Sequence, residues 1–243
     1  MRPMMKLYRK SELYFALAMI AVYVFVFGTL RSLGDDSPYM ALSLLLFAAL
    51  LLVFVKRNSL MEKYGLSGWA KNSRQMLYFI PLWIVTTGNL WGGLAPKYEG
   101  LGLLCAVVMF ALVGFVEELI FRGFLFKAML KDGKASTAII VSSVTFGIGH
   151  IVNLLSGHGS PETFLQIGFA IAMGFLFTFV YYKSGSLLPG ILAHSLIDVF
   201  SVFSARSELA AWIFICVVLL TAVFYGLYLS RLETPAVNRP RQA

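Results

Sequence analysis

Apolar stretches close to the length of a bilayer crossing recur along the whole chain, parted by short breaks rich in charge, glycine or proline. A crossing helix needs about 20 mostly apolar residues, and cutting the chain at those breaks predicts about eight of them. They cover residues 13–30, 39–55, 76–94, 101–126, 135–155, 163–182, 186–205 and 209–229. The third carries the most helix-breaking residues, with Pro81, Asn89 and the Gly92–Gly93 pair. No internal repeat is visible, and no soluble domain fits between the spans. The longest break, 56–75, mixes basic residues with Leu60, Met61, Tyr64, Leu66 and Trp69, and is expected to lie along the lipid headgroups. The pattern predicts an all-α, polytopic membrane protein.

Composition sharpens this. Of 243 residues 59% are hydrophobic and only 13% charged, about half the charge of a soluble domain, which excludes a soluble enzyme or a disordered tail. Cys105 and Cys216 lie inside apolar runs and read as small buried hydrophobes, with no disulfide framework or zinc cluster. The net charge of +8 raises the question of nucleic acid, and the distribution of the basic residues answers it. With eight spans, sixteen of the twenty Lys and Arg fall on the side of the two termini: in the N-terminal segment, 56–75, 127–134, Lys183 and the C-terminal tail. Only Arg31, Lys97 and Arg206 fall on the other side, and Arg122 lies within a span. Basic loops stay in the cytoplasm, so the charge sets topology: a multi-pass protein of the cytoplasmic (inner) membrane, both termini cytoplasmic, with no nucleic-acid partner.

The informative residues are ionisable groups inside the spans: Glu117, Glu118, Arg122, His150, His194 and Asp198. A charged side chain near the bilayer centre costs about 2.5–3.5 kcal/mol on insertion scales, so six such groups predict an intramembrane polar pocket. Glu118 and Arg122 are four apart and share a helix face, while Glu117 points about 100° away and is expected to stay unpaired. His194 and Asp198 are also four apart. His150 ends Phe146-Gly147-Ile148-Gly149-His150, whose glycines allow another helix to approach closely. Such a set could activate water and stabilise an oxyanion, as peptide hydrolysis requires, or bind a divalent metal that activates the water. It could also form a relay or binding site in a transporter or channel for protons or divalent cations. The H-E-x-x-H, G-x-S-x-G and G-x-G-D signatures of other proteases are absent.

The succession E-E-x-x-x-R (Glu117–Arg122), F-x-x-x-H (Phe146–His150) and H-x-x-x-D (His194–Asp198) resembles the CPBP or Abi family of CAAX proteases and bacteriocin-processing enzymes. That family includes the Ras-converting CAAX endopeptidases and lysostaphin-resistance-type proteins. The approach Ser184-Gly185-Ser186, Pro189 and Ala193-His194 is similar to theirs as well. The resemblance covers a catalytic core (101–203) and does not fix the parts that flank it, N-terminal helices with an amphipathic loop (1–100) and a final helix with its tail (204–243). It implies an intramembrane endopeptidase acting on membrane-associated or lipidated peptides. In it, Glu117 and His150 activate water, His194 and Asp198 stabilise the oxyanion or position the carbonyl, and Glu118, Arg122 and Phe146 give support. Asp198 stands where the Ras-converting members have asparagine. Both glutamate and metal mechanisms are assigned to the family, so a zinc ion on Glu117, His150 and His194 stays open.

Overall fold

A computed structural model describes residues 2–150 and 160–239; the predicted end of the fifth segment and His158, expected to be an exposed loop residue, lie outside the described residues. The helices are α1 (Arg2–Lys10), α2 (Glu12–Leu30), α3 (Pro38–Arg57), α4 (Ile80–Thr86), α5 (Gly100–Glu117), a π-helical stretch (Glu118–Phe126), α6 (Lys127–Asp132), α7 (Ala135–Gly149), α8 (Ser160–Ser184), α9 (Leu188–Val202) and α10 (Glu208–Ser230). Local chemistry sets several starts. Ser11 and Ser207 cap α2 and α10 by accepting from the N–H of Tyr14 and Ala210, and Pro38 and Pro189 occupy first-turn positions where no N–H is required.

All eight predicted segments carry helix, but among the described residues only five are long and apolar enough to cross a membrane: Glu12–Leu33, Pro38–Arg57, Gly100–Lys131, Leu165–Ser184 and Glu208–Ser230. Leu77–Leu90, Ala135–Gly149 and Leu188–Val202 are shorter apolar helices. The 15 residues of α7 or α9 reach only about 22 Å, against ~30 Å of hydrocarbon. The third segment is broken outright. Leu77, Tyr78 and Phe79 have φ of 52°, 49° and 60°, a left-handed run that costs roughly 1–2 kcal/mol per residue. Burial of Met76 and Phe79 and a Tyr225 hydroxyl donating to the Met76 carbonyl at 2.6 Å offset this. Pro81 then restarts the helix as α4.

The loops gather at two ends. At the end holding the termini, the 58–76 loop folds against the α8–α9 junction: Leu187 N–H donates to Gly65 O (3.0 Å), the Ser186 hydroxyl to Gly68 O (2.8 Å) and Asn72 to Lys183 O (2.8 Å). It is thus anchored to the protein, beyond the headgroup contact expected of it. The C-terminal tail closes the same end. Lys127 donates to Val237 O and Asn238 Oδ1, Asn238 donates to Tyr181 O and Tyr182 O, and Lys183 reaches Leu232 O. At the distal end, loop 93–97 pairs with 202–205 through Ala95 N–H to Phe203 O, Lys97 N–H to Val202 O and Ala205 N–H to Gly93 O, while Arg31 pairs with Asp35.

Between the ends α9 lies on α5, and α7 on α8. The α5–α9 contact depends on Gly114: a Cβ there would fall 2.5 Å from Ser195 N, and the Ser195 hydroxyl donates to Ala111 O at 2.8 Å. Gly114→Ala should therefore force α9 away and lower the thermal midpoint in detergent, an overpacking cost of about 1–3 kcal/mol. Gly226→Ala, where an added Cβ meets nothing within 4 Å, should match or exceed wild type. A Gly114→Ala midpoint at or above wild type would refute the packing argument.

Candidate active site

The three motifs meet on the ring of His194. Its Nδ1 lies 2.9 Å from Glu118 Oε1, and its Nε2 lies 3.6 Å from Glu117 Oε2 and 3.5 Å from Asp198 Oδ2. Adjacent glutamates thus reach opposite edges of one imidazole. They do so because the α-helix opens into the π-helical stretch at Glu118, a widening that recurs at functional sites. The Ser142 hydroxyl of α7 accommodates the altered backbone by donating to Phe121 O at 2.9 Å.

Glu118 and Arg122 are fully buried, and Arg122 Nη1 donates to the same Glu118 oxygen at 2.9 Å. The guanidinium lies 4.1 Å from the centre of the Phe146 ring, a cation–π contact that shields part of its surface. Phe146 also meets His194 edge-on at 5.7 Å and His150 at 5.6 Å, and Phe177 stacks on His194 at 5.2 Å. The imidazole is thereby clamped between rings while Glu118 holds one nitrogen. His150 and Asp198 are half-buried and, with Glu117 and His194, line a cavity of about 430 Å³.

Glu117 is not the unpaired carboxylate the sequence predicts: Oε1 accepts the Tyr23 hydroxyl of α2 at 2.7 Å. A hydroxyl inside an apolar run was the only available signal for Tyr23. Asn89 is a second addition, lining the cavity and donating to Ile197 O at 2.7 Å on α9. Glu118 also does more than pair with Arg122, since it is the acceptor that orients His194.

Glu117, His150 and His194 are of suitable types for zinc, but among the described residues no group of three or more His, Cys, Asp or Glu side chains is placed to hold a metal ion. Glu118 on Nδ1 would leave Nε2 of His194 as the ligand atom, the usual arrangement of a metal-binding histidine, so the ring chemistry fits a metal although the three side chains are not gathered around one point.

The family comparison falls on this same region. Residues 99–200 match the family model described as Type II CAAX prenyl endopeptidase Rce1-like. The match covers less than half of the chain. It takes in Glu117, Glu118, Arg122, Phe146, His150, His194 and Asp198, agrees with the CAAX-protease resemblance of the motifs, and leaves out α1–α4 and α10. At family level the Rce1-like match supports a CAAX-protease-type intramembrane endopeptidase. Searches of curated proteins and of solved structures return no match.

The buried Glu118–Arg122 pair makes a stability prediction. Arg122→Met leaves Glu118 buried without its cation and should cost about 3–5 kcal/mol, whereas Glu118→Gln combined with Arg122→Met should recover much of that. Thermal unfolding in detergent checks this, and a double variant no more stable than Arg122→Met would argue against an ion-pair role.

Proposed function

We propose that the chain is an intramembrane endopeptidase that hydrolyses membrane-associated or lipidated peptides by glutamate- and histidine-assisted attack of water. The observation that carries this reading is the pair of adjacent glutamates flanking His194 beside a cavity that His150 also lines. Glu117, oriented by Tyr23, takes a proton from water, with His150 beside it in the cavity. The water oxygen bonds to the scissile carbonyl carbon as the carbonyl π pair moves onto oxygen. His194 in its protonated form donates Nδ1–H to Glu118 and presents Nε2–H to that oxyanion, with Asp198 one turn away positioning it. Collapse breaks the C–N bond, and Glu117 passes its proton to the departing amine. Glu118 and Arg122 act through His194, and Phe146 holds the rings in register. The family is named for prenyl endopeptidases, so lipidated peptides are the first substrates to test.

We further read 1–100 as the helices and loop that brace the core, 101–203 as the catalytic core, and 204–243 as its closing helix and tail, with the termini in the cytoplasm. The excess of basic residues at the terminal end supports that orientation.

With a panel of lipidated and hydrophobic peptides, purified protein should show cleavage that Glu117→Gln lowers by at least about 100-fold without loss of folding. Cleavage undiminished in that variant would remove Glu117 from the mechanism. If wild type cleaves nothing, and liposomes instead show a proton or divalent-cation flux that His150→Ala abolishes, the protein is a transporter. Tyr23→Phe should lower kcat about tenfold or more with KM little changed, since a charge-assisted hydrogen bond to the base is lost; a pure KM effect would place Tyr23 in substrate binding.

A further inference from the structure

The cavity is markedly one-sided. From Glu117 and His194 it extends toward the distal end, where Arg31, Asp35 and Lys97 form its rim, half-buried or exposed. Apart from Phe121, one turn beyond Glu117, the helices contribute to it from the level of the site outward, among them the second half of α2, α9 from His194 to Ser201, and Phe214 near the start of α10. Among the described residues none of the 58–76 loop, α6, the α8–α9 junction or the C-terminal tail lines it. A neighbouring cavity of about 800 Å³ shares Asn89, Lys97 and Phe214 with it and is bounded by Ser204–Glu208, again at the distal end.

On the other side of His194 a closed layer separates the site from a distinct cavity of about 260 Å³ at the terminal end, lined by Glu12, Lys63, Lys127 and Lys131 among others. Glu118, Leu119 and Arg122 are fully buried, and beyond them Phe124 packs against Phe15 and Tyr64, ring centres 5.1 Å apart in each case. Phe15 stacks in turn on Phe54 at 4.9 Å. A peptide approaching from the terminal end would have to displace this aromatic layer and the anchored loop above it.

Arg31, Lys97 and Arg206, the only lysines and arginines at the distal end among the described residues, border these two cavities, whereas the terminal end carries the basic loops expected to stay in the cytoplasm. We infer that the site is entered from the extracytoplasmic face, so that its substrates are exported peptides or extracytoplasmic segments of membrane proteins. Peptides anchored at the cytoplasmic surface are not expected to reach it. This rests on the endopeptidase reading for the word substrate, but the entry side can be measured without cleavage.

In a Cys105→Ala/Cys216→Ala background, single cysteines are placed at Lys97 on the rim, Ser201 in the cavity wall, Lys56 in the last turn of α3 at the terminal end and Ser143 in the buried interior, and intact cells are treated with a membrane-impermeant maleimide. Lys97→Cys and Ser201→Cys should be labelled in intact cells, Lys56→Cys only after permeabilisation, and Ser143→Cys in neither. Labelling of Ser201→Cys only together with Lys56→Cys, or in neither condition, overturns the inference. As a second arm, an impermeant fluorogenic peptide should be cleaved by right-side-out vesicles and lose that cleavage with inside-out ones; the reverse result overturns it. Absence of cleavage in both preparations, with Ser201→Cys labelled from outside, would count against the endopeptidase reading alone and leave the entry side supported.

Discussion

One carboxylate oxygen, Glu118 Oε1, joins the two halves of the site. It accepts from Arg122 one turn along its own helix and meets His194 Nδ1 across the α5–α9 interface, each at 2.9 Å. Burying these charges is costly, and the cost is met only if the contacts around them hold. Gly114 lets α9 come close enough, Phe146 and Phe177 fix the imidazole plane, and the π-helical stretch turns Glu118 inward while Glu117 faces the cavity. The buried pair is better understood as a device for orientation than as a source of stability. A neutral apolar substitute could pack there, but it could not hold one nitrogen of His194 and leave the other facing Glu117 and Asp198.

The short helices belong to the same logic. α7 and α9 supply the histidines, and both are too short to span hydrocarbon. A helix that stops inside the protein ends where neighbouring helices and water can satisfy its polar groups, which is where irregular backbone is tolerated at membrane depth. The broken third segment contributes in the same way: Asn89, beyond α4, holds the Ile197 carbonyl. The short helices thus arrange the interior together with one long one, Gly100–Lys131, which supplies both glutamates and Arg122.

What the sequence made legible was whatever is periodic or local. The apolar runs showed the helices, and the four-residue spacings showed that Glu118 faces Arg122 and His194 faces Asp198. Three things escaped it. The change from α to π periodicity at Glu118 has no compositional signature, since the apolar residues that follow suit either helix. The left-handed run at Leu77–Phe79 uses residues with no preference for that conformation, held by tertiary contacts such as Tyr225 to Met76. Tyr23 and Asn89 lie about a hundred residues from their partners, and nothing local announces such contacts.

The C-terminal tail carries a consequence for how the bundle is closed. Lys127 and Lys183 are buried, and their ammonium groups are satisfied by carbonyls and side chains of residues 232–238. Those acceptors follow α1–α10 in the chain, so two interior cations at the terminal end take their partners from a segment that lies beyond all ten of those helices and folds back across the end that holds α1.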